Sequence, residues 1–588
     1  MLHLTLQERL RAAFAKSFPD VASETVTVRP CQDARFGDYQ CVSIMPLAKQ
    51  LKTNPRQIAT AVLEKIEVDD LCEKVEVAGP GFINFHVRTS AIEGVLKAAA
   101  DGEHNFYNKA ESPRTVVIDF SSPNVAKPMH VGHIRSTILG DCLARLFRLL
   151  GHQVVTDNHI GDWGTQFGML LLGWKNELNE ADLKADPIAE LERIYKLINT
   201  RCKEDEAVLE SCRQELVKLQ GGDEENLGIW RKMIELSQTQ FDEIYSRLDI
   251  VFDETLGESF YNERLSGIVD ELTAKGLARE SQGAMCVFSG KELPEKEDPF
   301  LIHRDGEWQD NPALIRKKDG GFNYTTTDLA TLQYRRNTWN PMEVLYVTDG
   351  RQQLHFRQLF DAFGRWYPDA DIKLAHVWFG SILGDDGKPF KTRSGDTVKL
   401  ADLLDEAEER ALAIVEEKNP DLPADQKNEI ARIVGIGAVK YADLLPHRQS
   451  DYVFSWDKML ALQGNTAVYL LYAYTRVRSI FRKAADKGFS TEIRSEDLKL
   501  EAESEIALAK KLMEFGVVLE QVCEDYRPNL LCNYLYETAG CYSQFFENCQ
   551  VVQDDEALRN SRMVLCELTA GVLKEGLGVL GIQTTDVM

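Results

Sequence analysis

Four short runs, "VVIDF", "HQVVTDN", "MEVLYVT" and "LAHVWFG", lie between Val116 and about Leu383, with helix-like sequence between them. β-Branched and aromatic runs of this length read as buried strands, and strands that alternate with helices form a parallel sheet covered on both faces. This alternation constrains the chain more than any other feature. It predicts an α/β, Rossmann-like, doubly wound parallel sheet, which binds ligands at the carboxyl ends of its strands. Between about 175 and 300 a charged insertion, including "EAVLESCRQELVKLQ", reads as a solvated helical layer with no chemistry of its own.

A chain of 588 residues is too long for one core. Residues 1–110 read as an N-terminal α/β domain, 111–440 as the sheet domain with its insertion, and 441–588 as an all-α bundle. The first helix puts Leu6, Leu10, Phe14 and Phe18 on one face, and Glu8 in its middle argues against an organellar presequence. No apolar run reaches the length of a membrane span, so a cytoplasmic protein with no membrane partner is expected. Twelve cysteines without a C-x-x-C pair, and without histidines clustered near them, suggest reduced thiols and no metal site.

The formal charge of -25 repels polyanions at long range, so an RNA partner would have to dock on a local basic patch. One candidate is "AYTRVRSIFRKAADK", which carries Arg476, Arg478, Arg482 and Lys483 close to Tyr469, Tyr472 and Tyr474. Those arginines could equally pack against acidic neighbours, and composition does not decide.

The first strand leads into "SSPNVAKPMHVGH" and then a helix with Ile134, Ile138, Cys142 and Leu146 at helical spacing. A helix N-terminus presents unpaired N–H groups and a partial positive charge, a ready site for phosphate. His130 and His133 add imidazole donors, Lys127 adds a full charge, and Gly132 lets a flat base approach the backbone. The stretch is suited to a nucleoside triphosphate and to charge developing on its phosphates. Two commoner nucleotide motifs are excluded. "GDDGKPF" has Pro389 where a P-loop needs Ser or Thr, and "GIGAVK" lacks the third glycine of a dinucleotide fingerprint.

"SSPNVAKPMHVGHIRST" resembles the first signature of class I aminoacyl-tRNA synthetases, and in detail that of arginyl-tRNA synthetases. "NHIGDWGTQFGML", "YTTTDLAT", "GRQQLHFRQLF", "FKTRSGDTVKL", "GAVKYADLL" and "LALQGNTAVYLLYAYTRVRSIFRK" extend the resemblance over nearly the whole chain. It implies an ATP-dependent, Mg²⁺-assisted ligase acting on L-arginine and tRNA(Arg), with a monomer expected. Catalytic roles fall on His130, His133, Lys127 and Lys391, and ATP contacts on Pro123, Gly132, His355 and Arg393. The second signature, "KTRSG", has Arg393 and Ser394 where a second Lys–Ser is usual, so Lys127 is the natural substitute for the absent cation. Such a cation is worth on the order of 3 kcal/mol to the transition state.

For the amino acid, Asp119, Tyr324 and Asp328 are candidates to grip the guanidinium. Tyr324 and Asp328 share a helix face by their i, i+4 spacing. The resemblance adds Ser122, Asn124 and Gln352 at the substrate's amino-acid end. It also assigns Phe36, Tyr39 and Gln40 to the outer corner of the tRNA, and Arg476, Arg482, Phe546 and Met588 to the anticodon side. There the aromatics of "NYLYETAGCYSQFFENC" are expected to stack on bases.

Overall fold

The four expected strands form, as β1 (Thr115–Asp119), β2 (Gln153–Asp157), β3 (Glu343–Tyr346) and β4 (Lys373–His376). They hydrogen-bond in the order β4-β3-β1-β2, all parallel. Their central members are buried along nearly their full length, as strands covered on both faces must be. From β1 the chain goes to β2 on one side and later to β3 on the other, so the topological switch lies between β1 and β3. Register places Asp157, Asp119, Tyr346 and His376 in one row across the carboxyl ends. Three helices follow the strands closely enough to matter for the site: α1 (Val131–Leu149), α2 (Tyr324–Trp339) and α3 (Gln353–Trp366).

This computed structural model describes every residue except 21, 32 and 392–396. It divides into two compact units, Met1–Ala110 with Leu412–Leu445 and Lys458–Met588, and Glu111–Ala411 with Pro446–Asp457. The chain therefore passes between the units more often than a single boundary near 440 implies.

The insertion is helical only as far as Ala274. The strands Ala278–Ser281, Ala284–Val287 and Ala313–Arg316 then form an antiparallel sheet, and Leu301–Arg304 pairs with Glu307–Asp310 in a ribbon. Turn chemistry explains the departure. Gln282-Gly283 and Asp305-Gly306 all take positive φ, the requirement of a tight hairpin turn.

In the first unit, Arg29–Pro30, Tyr39–Cys41, Phe82–Val87 and Cys72–Ala78 lie in that order in an antiparallel sheet. The opening helix, Leu2–Ser17, buries Leu6, Leu10 and Phe14, while Phe18 falls one residue past its end. The C-terminal part is a set of helices, among them Ala467–Asp486, Asn529–Asn548 and Glu556–Val579. No helix among the described residues is long and apolar enough to cross a membrane.

Candidate functional site

The turn between β1 and α1 is strained and firmly held. Ser121, Ser122 and Ala126 all have positive φ, at 71°, 49° and 62°. Non-glycine residues persist in that region only where neighbours over-determine them. Here they do. The Ser121 N–H donates to Ser136 Oγ at 2.8 Å, the Ser122 N–H to Asn158 Oδ1 at 3.1 Å, and the Ala126 N–H to Ser237 Oγ at 2.9 Å. The Tyr245 hydroxyl adds a bond to Ser121 Oγ at 2.8 Å. Ser237 and Tyr245 belong to the insertion helix Glu224–Arg247, so the insertion is more than the solvated layer its composition suggested. Pro123 is buried and its carbonyl accepts the Gly161 N–H at 3.0 Å, while Asn124 beside it is exposed.

The two histidines cap α1. His130 is the N-cap, its Nδ1 accepting the Gly132 N–H at 3.0 Å. His133 reaches back, its Nδ1 accepting the His130 N–H at 3.1 Å. With Nδ1 occupied as an acceptor in both rings, the neutral proton resides on Nε2, and each ring presents an N–H donor outward. Burial pushes the His133 pKa down to about 3, assisted by the neighbouring His130. Burial also lowers His130, with Lys127 adding to the effect. Both imidazoles are thus neutral donors at pH 7, and the positive charge nearby is that of Lys127. A Cβ on Gly132 would lie 2.8 Å from the His130 ring, so glycine keeps the capping geometry as well as room for a base.

The second signature docks on the first through the backbone. Val131 N–H donates to the Val398 carbonyl and Leu400 N–H to the Met129 carbonyl, both at 2.9 Å. Lys399 bridges His130, and Lys391 pairs with Thr397 in the strand-like arms of the loop. Lys391 is exposed. Arg393 lies outside the described residues.

At the switch point the strand ends carry charge. The buried Arg335 of α2 donates from one Nη to Asp119 Oδ2 at 2.6 Å and to Asp157 Oδ2 at 2.7 Å, and lies over the Tyr346 ring. Asp119 also accepts from Ser122 Oγ at 3.1 Å and is 4% exposed. Each of its oxygens thus already accepts one internal donor and keeps a further acceptor position. Asp328 remains toward the crevice, and the His355 Nε2–H donates to its Oδ2 at 2.5 Å. Burial opposes protonation of His355, but this bond and the carboxylate charge outweigh it and raise the pKa. His355 was expected on the nucleotide; here its partner is the acid expected on the amino acid. Tyr324 opens α2 and is 69% exposed, and Gln352 is exposed before α3.

His159 and Glu258 complete the cluster and escaped the sequence reading. His159 donates from Nδ1 to the Leu256 carbonyl at 2.8 Å. Burial works against its charge, yet Asp119, Asp328 and Asp157 together raise its pKa. Burial raises Glu258, with His159 opposing and Asp162 and Asp328 reinforcing. Burial, Glu258 and Asp328 raise Tyr324. The crevice is therefore acidic, and charged groups are held close together within it. Among the described residues, no group of three or more histidine, cysteine or carboxylate side chains gathers to hold a metal ion.

In the first unit the RNA-facing expectations divide. Phe36 is 50% exposed, and Gln40 is half-buried with its Nε2 donating to Asn84. Tyr39 is 5% exposed, because strand parity turns it and Cys41 inward, and its assignment to RNA is corrected. On the helix Ala467–Asp486, Arg478 is paired with Glu567 at 2.7 Å, the alternative that composition left open. Arg476 instead lies over the Phe546 ring, 4.2 Å from its centroid, and exposed Arg482 donates to the Asp586 carbonyl. With Thr475 donating to the Thr585 carbonyl at 3.0 Å, that bond ties the tail ending at Met588 to this helix. Most aromatics of Asn529–Asn548 are not available to bases: Tyr534, Tyr542 and Phe545 are core, and only Tyr536 and Phe546 reach the surface.

A family model described as "tRNA synthetases class I (R), catalytic domain" matches residues 96–456. "DALR anticodon binding domain" matches 470–588, and "Arginyl tRNA synthetase N terminal domain" matches 4–87. A protein of Erwinia tasmaniensis named arginine–tRNA ligase is 46% identical over 570 residues, covering 95% of each chain. One of the same name from Cellvibrio japonicus is 44% identical over 99% of each. The crystal structure of arginyl-tRNA synthetase from Plasmodium falciparum superposes with a TM-score of 0.82 at 30% identity, covering 100% of this chain and 99% of that one.

Proposed function

The chain belongs to the class I arginyl-tRNA synthetases, and on that premise we propose how its residues divide the work of an arginine–tRNA ligase. ATP and L-arginine give arginyl-adenylate and pyrophosphate, and the arginyl group then passes to the 3′-terminal adenosine of tRNA(Arg). The carboxylate of arginine attacks the α-phosphorus, and negative charge moves onto the departing pyrophosphate. His130 and His133 donate from Nε2 to those phosphates, while Lys127 and Lys391 supply the cationic charge. Arg393 would add to it from the same loop. Pro123 and Gly132 leave a flat approach for the nucleotide, and His355 lies at the border between nucleotide and amino acid.

Asp328 and Tyr324 receive the guanidinium, with Ser122, Asn124 and Gln352 at the amino-acid end. Asp119 acts from behind through Arg335 and Ser122. The donors gathered here are imidazole and ammonium groups, so a Mg²⁺ ion would be held mainly by the nucleotide itself and would supply further charge to offset that on the phosphates. Residues 1–110 meet the outer corner of the tRNA through Phe36 and Gln40. Residues 441–588 meet the anticodon through Arg476, Arg482, Phe546 and Met588. A monomer in the cytoplasm completes the reading.

One observation carries it: two neutral imidazole donors at a helix N-terminus, joined by backbone bonds to the arms of the lysine loop, beside an acidic switch-point crevice. ATP–pyrophosphate exchange across the amino acids, with and without tRNA, tests it. Arginine alone should drive exchange. Exchange with a different amino acid, or with none, would remove the assignment.

A further inference from the structure

The cation that stands in for the missing loop lysine is carried by a strained turn, and little in the turn itself fixes a side chain as long as Lys127. The insertion supplies what is missing. Lys127 Nζ lies over the ring of Tyr195, 4.9 Å from its centroid. Tyr195 is on the insertion helix Pro187–Glu204. That helix is seated closely on Gln166–Glu177, where a Cβ on Gly173 would come within 2.0 Å of Ile194 Cγ2. Ile194, next to Tyr195, is fully buried, so the position of the ring is set by the core of the insertion. One residue before Lys127, the Ala126 N–H is held by Ser237 from a second insertion helix. The insertion thus grips both the backbone and the side chain at this point.

An aromatic face suits the task better than a carboxylate would. A salt bridge would fix the ammonium but neutralise the charge that the phosphates need. The ring's quadrupole attracts the cation at one side and leaves its charge unpaired toward the other. Among the described residues no acid forms an ion pair with Lys127, and its charge is felt at His130, whose pKa it helps to lower.

We propose that Tyr195 is the positioning residue for Lys127, holding its ammonium against the phosphates of ATP; this rests on the reading that Lys127 supplies charge to adenylate formation. Tyr195 is half-buried and touches no substrate in this reading, so it acts only through the lysine.

The test is a cycle of variants in ATP–pyrophosphate exchange with arginine and tRNA present. Tyr195→Leu should lower kcat by about three- to thirty-fold, the range of a partly desolvated cation–π contact, with the KM for arginine unchanged. Tyr195→Phe, which keeps the ring, should stay within about twofold of the parent. In a Lys127→Ala background, Tyr195→Leu should add nothing further, because its target is gone. Tyr195→Met provides a second aliphatic variant should leucine disturb folding, with the unfolding midpoint followed for each. A full Tyr195→Leu effect that persists without Lys127, an equal loss in Tyr195→Phe, or no loss in either aliphatic variant would overturn the proposal while leaving the role of Lys127 intact. Undiminished exchange by Lys127→Ala itself would overturn the reading beneath it.

Discussion

Replacing His130 with asparagine separates two tasks that one ring performs. Its Nδ1 caps α1 by accepting the Gly132 N–H at 3.0 Å, and its Nε2–H is the donor assigned to phosphate. Asparagine places Oδ1 near the position of Nδ1 and is among the best N-caps, so the helix should lose less than about 0.5 kcal/mol. It carries nothing at the position of Nε2. Removing one preorganised donor costs about 3–4 kcal/mol at the transition state, or roughly 10²–10³ in kcat. His130→Ala removes both functions: the same kinetic loss, with about 1 kcal/mol of capping besides. In a protein of this size that capping loss lowers the unfolding midpoint by on the order of 1–2 °C. Pyrophosphate exchange and thermal unfolding of the two variants give four numbers, and the geometry of the ring fixes the sign of each. Turnover by His130→Asn within threefold of the parent would show that Nε2 does not meet the phosphates. Unfolding as early as the alanine variant would show that the cap is held by something else. The pH dependence follows from the same geometry. With His133 pushed down to about 3 it stays neutral from pH 6 to 8, and kcat should show no inflection from it there; His130 is lowered in the same direction by burial and by Lys127. Their lowered values oppose folding only as pH falls below about 6.5, where the unfolded chain takes up the protons.

Asp328→Asn should raise the arginine KM by roughly ten- to a hundredfold, the worth of a hydrogen bond to a charged group; an unchanged KM would move the guanidinium grip elsewhere. Because the His355 pKa is raised, its favourable pairing with Asp328 is complete below the unfolded value near 6.5 and is lost as pH rises through the folded one. The arginine KM should therefore fall as pH rises through that range, since a neutral His355 competes less for Asp328. His355→Gln should flatten the profile, and a slope that survives the substitution would exclude this histidine. In the bundle, Arg476→Ala should weaken tRNA binding and reduce the slope of log affinity against log salt by about one; identical slopes would show that Arg476 serves only to cover Phe546.

Much of the catalytic unit was readable in the chain because its strands are buried on both faces, and such strands appear as unbroken apolar runs. The strand–turn–helix at 115–149 was legible for the same reason, and its histidines fell where a cap and a donor are both needed. The misread residues share a different cause. Tyr39 lies in a motif that points to RNA, whereas strand parity alone turns it inward with Cys41. The aromatics of Asn529–Asn548 suggest a surface for bases, yet Leu531, Tyr534, Leu535, Thr538, Tyr542 and Phe545 recur at helical spacing and are buried together. That periodicity was the available sign of a core. Glu258 left no sign, because it sits in a four-residue helix whose relation to α2 exists only in three dimensions.

Arg335 shows why the acidic crevice could not be assigned from composition. Asp119 and Asp157 end adjacent parallel strands, and two buried carboxylates at that spacing repel one another. An internal guanidinium resolves the conflict by bonding both from one nitrogen. Removing one member of such a buried set typically costs about 3–5 kcal/mol, so the strand ends and α2 are locked together. The consequence reaches the substrate. One guanidinium offsets only part of the charge of Asp119 and Asp157, and Asp328 and Glu258, carried by two separate helices, add to the negative field that a cationic guest meets. A guanidinium can face carboxylates on two sides of its plane, whereas an ammonium is a point charge and cannot bridge them in the same way. Selection of arginine over lysine then depends on how far apart those two acids are held, and Arg335 fixes that separation by fixing α2 to the sheet.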